Sequence, residues 1–206
     1  ELLLDDASAA RFATCFVAID LAPGARLRLT RVLGADSEAH RITRVKIGVS
    51  QDARVDIITI DLGGRFARHD LDISLDAPGA EARVHGLYAP QGNAHVDNHV
   101  RVDHRAPHCT SRGNFRGLAY DRSRAVFNGK IVVHPQAQKT DSELRIANLL
   151  LSKQAQINAK PELEIYADDV KCAHGATCGQ LDENALYYLR TRGLDLPTAR
   201  GVLLRT

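Results

Sequence analysis

The 206-residue sequence contains no methionine and no tryptophan, and only 5% of it is aromatic. A natural reading frame opens with Met, so Glu1 is expected to be an internal residue and the chain a piece of a longer protein. No run approaches the roughly 18 apolar residues of a bilayer-crossing helix, and residues 1 to 30 carry no secretory signal pattern. The expected protein is therefore soluble and cytoplasmic. No strong charge of one sign is present either: the net charge is +2, with arginines scattered among acids, which argues against nucleic acid and membrane partners. Cys15, Cys109, Cys172 and Cys178 are irregularly spaced, which suits free thiols in a reducing compartment better than a disulfide framework.

What is present is aliphatic. At 44% hydrophobic the chain can bury one real core, and abundant Val, Ile and Leu suit stacked β-structure. Period-two alternation recurs along most of its length. In "RLRLTRV" Leu27 and Leu29 share a face opposite Arg26 and Arg28; "RITRVKIGV" sets Val45, Ile47 and Val49 together; "HDLDISLDA" turns Leu71, Ile73 and Leu75 inward and Asp70, Asp72, Ser74 and Asp76 outward. "ARVDIITI" alternates less strictly. Polar breaks at "GAD", "SQD", "DLGG" and "DAPGAE" separate these runs, and "FNGK" and "PQGNAH" suit tight turns. Short strands continue through "PELEIYA". A sandwich or barrel and a solenoid both fit, and the scarcity of two-residue hairpin turns favours a β-helix.

The pattern changes at Asp182. "DENALYYLRTRG" offers an N-cap, brings Ala185, Leu186 and Leu189 together at helical spacing, and stops at Gly193. A second helix starts at Asp195 with Pro197 in its first turn and runs to the chain end without a stop signal. The expected organisation is a β-core over 1–180 and a helical region over 181–206, cut inside a helix and packed on the end of the β-structure.

Chemistry-bearing residues concentrate in "DVKCAHGATCGQLDE". In an extended strand Cys172 and His174 lie on one face with Cα atoms about 7 Å apart, which one metal can bridge, but two ligands do not close a tetrahedral site. Cys178 is a possible third. Spacing alone leaves open a small buried thiol beside a surface imidazole. A second cluster, "HVDNHVRVDHRAPHC", holds His95, His99, His104, His108 and Cys109. There Val96, Val100 and Val102 form the inward face, leaving His95, Asp97, His99, Arg101 and Asp103 outward, with His95 and His99 about 13 Å apart. "FNGKIVV" lacks the remaining residues of a phosphate loop, and the aspartates of "HDLDISLDA" read as a solvated face rather than a calcium site.

From Asn114 onward, "FRGLAYD", "RAVFNGKIVVHPQAQKTD", "NLLLS", "KPELEIYADDVKCAHGATCGQLDE" and "LYYLRTRG" together resemble the SufD branch of the SufB/SufD family, which serves the SUF iron-sulfur cluster assembly machinery. "DISLDAPGAEARVHGLY" and "DHRAPHC" carry a looser similarity upstream. The resemblance implies an all-β, right-handed parallel β-helix followed by a short C-terminal helical region. It implies a non-enzymatic scaffold subunit of a SufBCD complex, paired with SufB through the β-helix and with the ATPase SufC through the C-terminal helices, here Leu186, Tyr187, Leu194, Pro197, Val202 and Leu203. Clusters would pass to apoprotein acceptors. His174 and Cys172 would then contribute to a site shared with SufB for iron or an iron-sulfur cluster, held transiently, with no permanent cofactor. Cys178 departs from the family pattern. The alternatives are a free-standing β-helix metal-binding protein or hydrolase using His95 to His108, and a homodimeric scaffold.

Overall fold

The computed structural model describes residues 2–5, 12–34 and 38–204. The chain begins with β1 (Leu2–Asp5), β2 (Phe12–Leu21), β3 (Arg26–Leu33), β4 (His40–Val49), β5 (Arg54–Asp61), β6 (Phe66–Leu75) and β7 (Glu81–Tyr88). It continues through β8 (His95–His104), β9 (Thr110–Ala119), β10 (Arg124–Val133), β11 (Asp141–Leu150), β12 (Gln156–Ile165) and β13 (Lys171–Gln180) to α1 (Glu183–Thr191) and α2 (Leu196–Leu203). Odd strands form a seven-stranded sheet, β1-β3-β5-β7-β9-β11-β13, and even strands a six-stranded sheet, β2-β4-β6-β8-β10-β12. Every neighbouring pair is parallel.

The chain therefore crosses from one sheet to the other and back, building a flattened parallel β-solenoid. Pairs such as His40↔Phe66 and Arg124↔Gln156 set a coil length of 26 to 32 residues. This settles the choice between sandwich and solenoid, since a parallel neighbour needs a crossover and a whole coil supplies it. The "GAD" break is described only at Gly34, because 35–37 lie outside the described residues.

The core lies between the sheets and is filled by alternate residues. Leu71, Ile73 and Leu75 are buried as the alternation predicts, and so are Val45, Ile47, Val49, Val96, Val100 and Val102. β5 also alternates strictly, but its inward set is Val55, Ile57, Thr59 and Asp61, while Ile58 is exposed on the outer face. A polar pair inside and an isoleucine outside hide the period from a hydropathy reading. Asp61 is buried because Arg31, the next inward residue after Leu29, pairs with it inside the core. "FNGK" is not a turn: it lies within β10, where Gly129 faces inward and a Cβ would come 2.7 Å from Phe127 Cε1 and 2.6 Å from Leu144 Cδ2.

One corner repeats. Gly24, Asp52, Gly79, His108 and Lys139 all have positive φ at the step from an even to an odd strand. The turns also bond to one another, Gly24 N to Gln51 O and His108 N to Gln138 O among them. After β13, Asp182 accepts from the backbone N–H of Asn184 and Ala185 to start α1, and Asp195 accepts from Thr198 N–H to start α2, as the capping residues predict. The helices make their substantial contact with each other rather than with a sheet; Leu186 and Ala199 are their buried residues.

Gly117 has a packing role that depends on its missing side chain. An added Cβ would lie 2.2 Å from Tyr88 Cε2 and 2.4 Å from Asn148 Oδ1, both on buried residues. Gly117→Ala should therefore destabilise the fold by about 1–3 kcal/mol, read as a lowered midpoint in urea denaturation with an unchanged m-value.

Candidate functional site

β13 is the last strand of its sheet, bonded to β11 on one side only, and β12 is likewise the end of the other sheet. The final coil thus presents two edges at one end of the solenoid. β12 has Pro161 in mid-strand, together with Lys160 and Glu162, the kind of residues that blunt an edge. β13 has no proline, and its residues 173–180, "AHGATCGQ", bear no lysine, arginine, aspartate or glutamate. Its outer backbone groups are open to another strand.

Three chemistry-bearing side chains take the inward register on β13: Cys172 opposite Ser142, His174 opposite Leu144 and Cys178 opposite Asn148. In the coil below, Ser142, Leu144 and Asn148 are buried; on β13 no further coil covers them, so Cys172 is half-buried and His174 and Cys178 are exposed. Cys172 and His174 lie two residues apart on one face of β13. Cys178 is not a third ligand to that pair, because four residues of strand, about 13 Å, separate it from His174. No group of three or more His, Cys, Asp or Glu side chains converges as a metal cage among the described residues. All four cysteines are free thiols. His174 borders an open cleft of about 440 Å³ with Arg116, Glu143 and Arg145. Partial burial pushes the Cys172 thiol up, and the Asp141 carboxylate adds to the effect. A metal ion binding there must displace a proton.

Beneath Cys172 the inward column continues through Ser142 and Ser111, and sequence reading missed it. The two hydroxyls are 2.6 Å apart, and Ser111 Oγ lies 2.9 Å from His104 Nε2. Thr140 donates its hydroxyl to the Ala137 carbonyl at 2.9 Å, so it faces His104 Nδ1, 3.5 Å away, as an acceptor. Nδ1 therefore carries the proton, and Nε2 accepts from Ser111. Burial pushes His104 down to about 4, against the pull of Asp103. The imidazole stays neutral at pH 7, so the column satisfies buried polar atoms and is not a proton sink. Strict alternation from Val96 through His104 would have placed this histidine inside.

The other histidines do not form a site with it. His95 meets Phe66 edge-on with ring centroids 5.4 Å apart, His99 bonds Asp97 on the outer face at 2.9 Å, and His108 is the positive-φ residue of a corner. Asp103, expected on the open face, is largely buried. Burial alone would raise its carboxyl, but Arg101, assisted by Arg105 and His134, holds it below the usual carboxylate range. Asp70, Asp72 and Asp76 bond Arg68, Arg44 and Arg105 respectively, which is the solvated face the sequence implied. Lys130 of "FNGK" pairs with Glu164. Among the helix residues, Tyr187, Pro197 and Val202 are exposed, Leu194 and Leu203 half-buried, and Leu186 buried. Among the described residues no helix is long and apolar enough to cross a membrane.

The class these features define is a parallel β-solenoid whose terminal coil leaves strand edges uncovered, with a thiol and an imidazole on one of them. The chain belongs to the SufBD family of iron-sulfur cluster assembly proteins: the profile of the SUF system FeS cluster assembly, SufBD core domain, matches residues 2–206. It is 34% identical over 90% of its length to the iron-sulfur cluster assembly protein SufD of Escherichia coli (strain K12), covering 44% of that protein. A SufBD family protein of Synechocystis, slr0076, is 34% identical over 81% of the chain and 37% of its own length. The chloroplastic protein ABCI7 of Arabidopsis thaliana is 32% identical over 74% of the chain and 32% of its own length. The chain thus spans less than half of these curated relatives.

The His104 geometry gives the fold a pH dependence. Its folded-state value of about 4 lies below the unfolded value of roughly 6.5. The stability this supplies is complete above the unfolded value and is lost as pH falls through the folded one, on the order of 3 kcal/mol in all. Urea titrations from neutral pH down to about pH 4 should show a steeper fall for the unaltered chain than for His104→Gln, which cannot take up that proton.

Proposed function

We propose that the chain is the core of a non-enzymatic scaffold subunit of a SufBCD complex, and that its cargo is iron or a nascent iron-sulfur cluster. The supporting observation is the placement of Cys172 and His174 two residues apart on an uncovered edge strand. Thiolate and imidazole are a suitable set for iron, and a site short of ligands in one chain calls for a partner to complete it. SufB is the partner in this reading, adding its own strand beside β13 by main-chain hydrogen bonding. The cargo is held transiently, shared with SufB and passed to apoprotein acceptors in the cytoplasm, and no cofactor stays bound.

Docking of SufC falls to the helical region, 181–206, which forms a unit beside the β-core of 1–180. Tyr187, Pro197 and Val202 offer exposed contact area, with Leu194 and Leu203 at its margin. Leu186 supports the helix pair from inside. The free-standing hydrolase reading loses its support, since His95, His99, His104 and His108 serve four separate structural contacts.

The test is reconstitution with co-expressed SufB and SufC. His174→Ala, at an exposed position, should leave the circular dichroism spectrum and complex size unchanged and cut cluster yield by about tenfold or more, the scale on which metal sites respond to changes in their surroundings. Unchanged yield removes His174 from the site. Tyr187→Ala combined with Val202→Asp should reduce SufC co-purification while leaving SufB bound; equal recovery of SufC would move its docking surface elsewhere.

A further inference from the structure

The far end of β13 holds a second thiol whose surroundings the Cys172–His174 pair does not explain. Cys178 is exposed and takes the inward register opposite Asn148. Asn148 is 3% exposed, and its Oδ1 accepts the Tyr88 hydroxyl, 2.5 Å away. That bond reaches across β9 only because Gly117 has no side chain there. Tyr88 lies on the β7 side of Asn148 and Cys178 on the β13 side. Asn148 Oδ1 is thus engaged by Tyr88, and the residue across from Asn148 on β13 is Cys178. Nδ2 is enclosed and has no hydrogen-bond partner. Burial pushes the Tyr88 hydroxyl up, with a smaller contribution from Cys178.

An enclosed N–H donor without an acceptor is unfavourable, and the residue opposite Asn148 carries a thiol. Nδ2 makes no hydrogen bond to the thiol opposite it, so the bonding gap lies between strands whose backbones are roughly 4.8 Å apart. One further atom on the sulfur, about 2 Å beyond it, closes that gap. An anionic atom would also receive the bond in its stronger, charge-assisted form. Because no third metal ligand converges here among the described residues, single-sulfur chemistry suits the site and chelation does not. The cleft in front of Cys178 is open and about 550 Å³ in volume, bordered by Asn128, Asn158 and Lys160.

We infer that Cys178 is a modification site at which the thiol accepts one chalcogen atom, sulfur or oxygen, as an anion bound by Asn148 Nδ2. From a hydropersulfide, the Cys178 thiolate attacks the outer sulfur, the donor S–S bond breaks, the donor thiolate leaves, and loss of a proton gives Cys178–S–S⁻. From a peroxide, the thiolate attacks one oxygen, the O–O bond breaks, and hydroxide leaves and is protonated to water. The sulfur is oxidised by two electrons to the sulfenic acid, which loses its proton. Asn148 is a positioning residue in both cases.

Cys15 supplies an internal control, being exposed but standing opposite Thr43. The chain is treated in separate arms with glutathione persulfide and with hydrogen peroxide, each product is trapped, and occupancy is read at each cysteine by peptide mass spectrometry. Cys178 should hold its product about tenfold over Cys15, roughly the worth of one charge-assisted hydrogen bond. Selectivity in the persulfide arm assigns sulfur, selectivity in the peroxide arm assigns oxygen, and equal occupancy of the two thiols in both arms overturns the inference. Asn148→Ala should abolish the selectivity. If that variant does not fold, Tyr88→Phe, which keeps the amide but frees its orientation, should reduce it, and undiminished selectivity in Tyr88→Phe overturns the role given to Asn148.

Discussion

Each inward side chain of this solenoid stands on the residue of the same parity one coil below, and the rest of the structure answers to that stacking. Leu29, Ile57 and Val84 form one such column in register, and aliphatic columns fill the space between the sheets around a buried aromatic cluster of Tyr88, Phe115 and Phe127. A slip of one residue would exchange the faces of a strand, so corners are held as well as faces. The repeated positive-φ residue from Gly24 to Lys139 keeps each even-to-odd step alike. Where a column contains a bulky residue, its neighbour gives way: Gly86 makes room for Phe115, and Gly117 for Tyr88.

Much of this was legible from alternation alone. The inward faces of β4, β6 and β8 and both helix caps follow from residue type and spacing. What stayed hidden was the polar half of the interior. Arg31, Asp61, His69, Asn98 and His104 occupy positions that parity assigns inward and hydropathy assigns outward, and all are buried. A reading that trusted parity through the charged residues would have found them. The outward aspartates were recognised as a solvated face, although their arginine partners come from other coils as well as their own strand, as Asp97 and Arg68 show, and such pairings need the register.

The candidate site was legible in part. Spacing put Cys172 and His174 on one face, and the strand keeps them there. Spacing could not say that the strand is an edge, because edge status follows from the order of the sheets. Nor could it separate Cys178 from the pair, since that follows from the strand continuing unbroken to Gln180. The residues under these thiols, Ser142 and Asn148, come from the preceding coil and were not assigned to the site from sequence.

The terminal coil also differs energetically from those behind it. In a stacked array each unit draws stability from its neighbours, and this coil has a neighbouring coil on one side only, so it is held less firmly than the interior coils. Whatever lies against β13 therefore supplies the missing neighbour as well as any missing donor atoms. Under the proposed function, ordering of that coil, occupancy by cargo and association with a companion chain would be linked equilibria, each strengthening the others by the same free energy.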